Sequence, residues 1–127
     1  MENTELKYPK GFEKMGLKQE TPKVGIGIVF MRDDKVLLGL RKGSHGAGDW
    51  ALPGGHIDIG ETLLECAKRE TDEEIGLVID SVEHISFANN IMLDEGLHYV
   101  TLFLRAYWDE SQTPVIKEPD KMVDLQW

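Results

Sequence analysis

Val24, Ile26, Ile28 and Phe30 alternate with their neighbours, and a second apolar run, Val36-Leu37-Leu38, follows the polar pair Asp33-Asp34. Side chains alternate across a strand with period two, so this pattern predicts two strands joined by a tight polar turn. Gly25 and Gly27 interrupt the first strand, and glycine weakens a strand unless something must approach its backbone closely. Residues 43–48 (Gly-Ser-His-Gly-Ala-Gly) predict a flexible loop, followed by Trp50-Ala51-Leu52 and a Pro53-Gly54-Gly55 turn. The period then changes. Leu64, Ala67, Thr71 and Ile75 recur at helical spacing and form one stripe fit to pack on a sheet. Thr62 with Glu65 makes a capping box, and Gly76 stands where a helix ends in a left-handed residue, so the spacing predicts a helix over 62–75. Two more strand regions follow, near 78–89 and 97–107, with Leu93-Asp94-Glu95-Gly96 as the turn between them. Residues 122–127 read as a last strand or its start. Residues 1–22, with Pro9, Gly11, Gly16 and Pro22, hold no sustained period and read as an N-terminal arm before a domain over 23–127.

A chain of 127 residues is one domain, long enough to hide about two-thirds of the surface its unfolded form exposes. No apolar run approaches the ~18 residues that span a bilayer, and the N-terminus lacks a signal-peptide pattern, so no membrane partner is expected. The one cysteine, Cys66, forms no internal disulfide and reads as a small buried apolar residue on the helix; this fits a cytoplasmic location. The charge narrows the function. The chain carries 23 acidic against 14 basic residues, a net charge of −9. Proteins that grip a nucleic-acid polymer normally present a basic patch. An acidic protein with an anionic substrate points instead to a small nucleotide held through a divalent cation.

Glu70, Glu73 and Glu74 stand at i, i+3 and i+4 on the helix, so their side chains are neighbours at the rim of the apolar stripe. Like charges so placed destabilise a helix by roughly 0.2–0.5 kcal/mol per pair, and more when partly buried. Arg69 offsets part of that charge. The excess calls for a hard cation with oxygen ligands, as Mg²⁺ or Mn²⁺ prefers. Taken alone, the same cluster reads more readily as a solvated acidic face.

The surroundings decide between these readings. From Gly55 the chain runs five residues to Glu61, seven more to Arg69, then Glu70-Thr71-Asp72-Glu73-Glu74-Ile75-Gly76-Leu77. This resembles the Nudix box, the signature of the Nudix hydrolase family. Thr71 is the one departure, at a position where the family usually carries a bulky aliphatic residue. Further resemblance to the MutT-type branch runs through 24–29, 37–43, 50–56 and 98–101, and the chain is most similar there to nucleotide triphosphate diphosphatases.

The resemblance implies an α/β/α sandwich with a mixed β-sheet. It implies Mg²⁺ as cofactor, with Mn²⁺ as a substitute, held by Glu70, Glu73, Glu74 and the carbonyl of Gly54. A Pro-Gly-Gly turn agrees with this, because no Cβ stands between its backbone oxygen and an ion. Glu70 matches the position of the general base, with Arg69 and Glu61 orienting the carboxylates. Arg41, at the end of the second strand, is a phosphate clamp or a solvated charge. Gly54, Gly55 and His56 are candidate substrate contacts, and His98 is a pocket residue or a structural one. Asp94, Glu95, Glu118 and Asp120 are each an additional metal ligand or, more readily, a plain surface residue. Trp50, Phe103 and Trp108 read as core. Relatives continue past the position of Trp127 with another helix that helps to form the base pocket, which leaves base specificity and a homodimer open. The implied reaction is hydrolysis of a (d)NTP, normal or oxidised, to the monophosphate and pyrophosphate. The alternatives are hydrolysis of another nucleoside diphosphate-X, such as a dinucleotide polyphosphate or a nucleotide sugar, and a non-catalytic nucleotide sensor.

Overall fold

The computed structural model describes residues 21–43 and 47–127. The arm over 1–22 therefore falls almost wholly outside the described residues, as does the centre of the loop over 43–48.

The two strands expected at the start are real, and their hairpin is more finely divided than the pattern suggested. β1 (Lys23–Val29) is followed by β2 (Met31–Arg32), β3 (Lys35–Val36) and β4 (Leu38–Arg41). Met31 pairs with Val36 and Arg32 with Lys35, which leaves Asp33-Asp34 as a two-residue turn. Asp33 takes a positive φ of 56°, the twist such hairpins need and a conformation Asp tolerates. β5 (Trp50–Ala51) pairs with β4, and β6 (Gly54–His56) pairs with β1.

That last pairing corrects one expectation. Gly54 and Gly55 are not in a turn but in strand β6, because the Pro53 carbonyl accepts from Ile28 N at 2.7 Å and hands the chain to the edge of β1. A second correction concerns Trp50. It is 43% exposed, on β5, the outer strand of its small sheet.

Helix α1 (Leu63–Ile75) forms as the spacing predicted. Thr62 accepts from Glu65 N, Glu65 reaches back to Thr62 N, and Gly76 closes the helix at φ 68°. β7 (Ile79–Met92) and β8 (Leu97–Trp108) make a long antiparallel pair joined through a short 3₁₀ turn, Leu93–Glu95, and β9 (Met122–Gln126) returns to β4.

The main sheet runs β6-β1-β8-β7, with β1 and β8 parallel and the outer pairs antiparallel. It is mixed, as expected, and α1 lies against β1, β6 and β7. Ile26, Ile28 and Leu104 point to the helix and bury with Cys66, Ala67, Ile75, Leu77 and Ile79. On the opposite face, a Cβ on Gly27 would sit 3.0 Å from the Phe103 ring. The strand thus carries glycine where an aromatic closes on its backbone. Phe103 and Trp108 are partly buried, Trp108 edge-on to the buried Phe30. Among the described residues no helix is long and apolar enough to cross a membrane.

Candidate active site

Three local devices bring the glutamates of α1 to the edge of the sheet. The first is β6, whose glycines let β1 come close on Gly54 and the helix on Gly55. A Cβ on Gly54 would collide with the Ile26 carbonyl oxygen at 2.0 Å, and one on Gly55 would lie 2.4 Å from the Glu70 carboxyl carbon. The second is a backbone anchor: Gly54 N donates to Glu74 Oε2 at 3.1 Å. The third lies at the end of α1, where the Glu74 and Ile75 carbonyls have no helical partners. Lys117 N and Val115 N donate to them at 3.1 and 3.0 Å, which lays the following residues, Glu118 to Met122, beside the glutamates.

Arg69 holds the outer side together. Its Nε and Nη2 donate to the two oxygens of Glu61 at 2.7 and 2.9 Å, a bidentate pair of the kind guanidinium geometry favours. Nη1 donates to Glu70 Oε1 at 2.7 Å and stands 3.6 Å from Glu73, and Nη2 also donates to the His56 carbonyl at 3.0 Å. Asp58 N donates to Glu61 Oε1 at 2.9 Å. The Arg69 pairing and the Asp58 amide hold the Glu61 carboxyl down at about 2, and the same contacts raise the proton affinity of the Arg69 guanidinium.

The inner glutamates behave oppositely. Burial pushes the Glu74 carboxyl up to about 8, against the Gly54 amide, and Glu70 and Glu118 add repulsion. Burial also raises Glu70, against the pull of Arg69. Carboxyls that resist ionisation because they are drawn out of water, with other negative charges beside them, are the donor set a hard cation suits. Among the described residues no three metal-ligating side chains already converge on one point, because Glu70 and Glu73 turn to Arg69 while Glu74 turns to Gly54.

A cavity of about 310 Å³ opens beside Glu74. Gly54, Glu74, Glu118 and Asp120 line it together with Arg41, Lys42 and Lys121. The β4–β9 pairing closes it, with a register shift at Leu40/Arg41 and with Lys42 N donating to Lys121 O at 2.9 Å.

The structure therefore gathers Glu61, Arg69, Glu70, Glu73 and Glu74 with Gly54 and Gly55, and sets Arg41, Glu118 and Asp120 on the adjoining cavity. Asp94 and Glu95 stand apart, in the turn between β7 and β8, and do not line it. The His56 side chain stacks on Tyr99 at 5.1 Å, and burial holds its imidazole below the usual value; its carbonyl is the part that meets Arg69. His98 pairs with Asn89 at 2.6 Å. Lys42 and Lys121 are site residues with a weak sequence signal, since only the β4–β9 pairing brings them together.

Comparison with known proteins follows the same line. The NUDIX domain model matches residues 21–127. The chain is 33% identical to a MutT NUDIX hydrolase from Burkholderia pseudomallei, whose crystal structure superposes with a TM-score of 0.79 over 85% of this chain and 83% of that one. It is 26% identical to the NUDIX domain of Shewanella oneidensis NrtR, solved with ADP ribose, at a TM-score of 0.69 over 86% and 73%. Over 63 residues it is 44% identical to an oxidized purine nucleoside triphosphate hydrolase from Mus musculus, covering 47% of this chain and 40% of that protein. The chain thus matches under half the length of that curated relative.

Proposed function

The chain belongs to the Nudix hydrolase family, and from that membership we propose that it hydrolyses a nucleoside triphosphate, a (d)NTP in normal or oxidised form, to the nucleoside monophosphate and pyrophosphate. One observation carries the reading: a single cavity beside Glu74 is lined both by carboxylates (Glu74, Glu118, Asp120) and by cations (Arg41, Lys42, Lys121). Carboxylates suit a metal ion, and Arg41, Lys42 and Lys121 suit the phosphate oxygens beyond it. The similarity to an oxidized purine nucleoside triphosphate hydrolase supports the same substrate class.

Glu70, Glu73, Glu74 and the Gly54 carbonyl would hold Mg²⁺, or Mn²⁺ in its place, and Glu118 is placed to add a further ligand from the cavity wall. The ion supplies charge neutralisation on the phosphate oxygens and a more acidic water. The rest falls to side chains. Arg41 grips the phosphate chain from the end of β4. Glu70 takes the proton of the water that attacks phosphorus, and the α–β anhydride bond breaks with pyrophosphate as leaving group. Arg69 and Glu61 keep the Glu70 carboxylate aimed, through the 2.7 Å contacts on either side of the guanidinium.

A second reading is hydrolysis of a nucleoside diphosphate-X. The ADP ribose held by the Shewanella oneidensis domain supports it, as does the 42% identity over 57 residues to an ADP-ribose pyrophosphatase from Methanocaldococcus jannaschii. A panel of dNTPs, NTPs, oxidised dGTP, ADP-ribose and a dinucleotide polyphosphate, assayed with Mg²⁺ and with EDTA, separates the two. Metal-dependent release of monophosphate and pyrophosphate from a triphosphate is the expected result. Release from ADP-ribose alone transfers the assignment to the second reading, and saturable binding without product transfers it to a sensor.

A further inference from the structure

We propose that Lys121 is the specificity element of the cavity, exchanging Glu118 for the terminal phosphate of a triphosphate chain and so favouring triphosphates over diphosphates. The inference rests on the phosphoanhydride reading above and deepens it.

Lys121 is held by its backbone and loose in its side chain. Its N–H donates to the Glu118 carbonyl at 2.9 Å, its carbonyl accepts from Lys42 N at 2.9 Å, and Met122 N donates to the same Glu118 carbonyl at 3.1 Å. These bonds fix the Cα at the cavity wall. The ammonium stands 3.3 Å from Glu118 Oε2, yet the Lys121 side chain is 69% exposed. An ion pair so open to water is weak and easily traded. A phosphate carrying more charge and more acceptor oxygens is the stronger partner for the same ammonium.

The exchange is selective because of the count of charges. A diphosphate chain shared with a divalent ion and Arg41 is already near neutrality. A third phosphate adds charge that only a further cation can meet, and Lys121 is the lysine here already paired to a carboxylate of the cavity. Releasing Glu118 as the phosphate arrives also leaves that carboxylate available to the metal. Lys42, bonded through its backbone to Lys121, also lines the cavity as a second cation.

The test is titration calorimetry of the Mg²⁺-loaded protein with inorganic tripolyphosphate and with pyrophosphate, for the parent chain, Lys121→Gln and Lys121→Arg. The parent should bind tripolyphosphate more tightly. Lys121→Gln should lose about tenfold in tripolyphosphate affinity and little for pyrophosphate, with an unchanged melting temperature, and Lys121→Arg should restore the preference. Equal losses for both probes, no loss in either, or no binding of tripolyphosphate by the parent would each overturn the assignment. Steady-state assays then separate it from the reaction itself: KM for a nucleoside triphosphate should rise in Lys121→Gln while kcat holds. If no nucleotide is hydrolysed but the tripolyphosphate pattern appears, the reaction is wrong and the role of Lys121 stands.

Discussion

The backbone of Gly55 and the carboxyl of Glu70 occupy one shared space, such that a single added methyl on the glycine would lie 2.4 Å from the carboxyl carbon. Gly55→Ala is therefore expected to expel Glu70 from its place beside Arg69 while β6 keeps its pairing with β1. Turnover should fall by about a hundredfold or more, since misplacing a catalytic group by an ångström costs on that order. Circular dichroism should remain that of the parent. Activity within threefold of the parent would show that Glu70 does not act from this position.

The half-buried Glu74 makes the metal-free protein sensitive to alkali. Its folded carboxyl titrates at about 8, above the ordinary 4.5, so between those values the folded chain holds a proton that the unfolded chain has released. Stability must then fall as pH rises through that window. Glu74→Gln removes the titration and keeps an oxygen for the Gly54 amide. In EDTA it should be more stable than the parent at pH 8 by on the order of 1–3 kcal/mol, with the difference vanishing near pH 5. With Mg²⁺ present it should be inactive. Denaturant curves that shift in parallel at both pH values would count against a half-buried, protonated Glu74.

Glu61 and Arg69 give the opposite sign. The Glu61 carboxyl is held at about 2, below its ordinary 4.5, so its contribution is complete above pH ~4.5 and is lost as pH falls toward 2. Arg69→Gln should destabilise the protein at pH 6, and the gap from the parent should close on acidification to pH 3. Arg69→Lys should recover only part of the loss, because one ammonium does not reach both Glu61 oxygens, Glu70 and the His56 carbonyl at once. A gap that stays constant from pH 6 to pH 3 would mean the Glu61 pairing adds nothing to stability.

Local chemistry explains which parts of the molecule were readable in advance. The capping box, Gly76, the stripe through Ala67, Thr71 and Ile75 and the Asp33-Asp34 turn are short-range features, each determined by a few neighbouring residues, and each formed as expected. The spacing of Glu70, Glu73 and Glu74 was legible along one helix, whereas their metal role and the orienting role of Arg69 and Glu61 came from the resemblance to the Nudix box; the structure pairs Arg69 with Glu61 through two bonds. What escaped depends on pairing between distant segments. Gly54 and Gly55 read as a turn because nothing local announces that Pro53 bonds to Ile28. Trp50 read as core because its exposure follows from β5 being an outer strand. Lys121 had only a weak signal until β9 was laid against β4.

Thr71 joins these two kinds of information. Its place on the stripe put it in the core, and it is fully buried, but its hydroxyl oxygen has no hydrogen-bond partner among the described residues. An unsatisfied buried hydroxyl costs about 1–3 kcal/mol, whereas a methyl of the same shape in its place loses nothing. Thr71→Val should therefore raise stability by about 1 kcal/mol, after the small helix penalty that a second β-branched methyl group brings. Because Thr71 faces the sheet and the glutamates flank it at the rim, turnover should stay within about twofold of the parent. A melting temperature lower than the parent's would show that the hydroxyl has a partner after all, and that the departure from an aliphatic residue at this position serves the packing of α1.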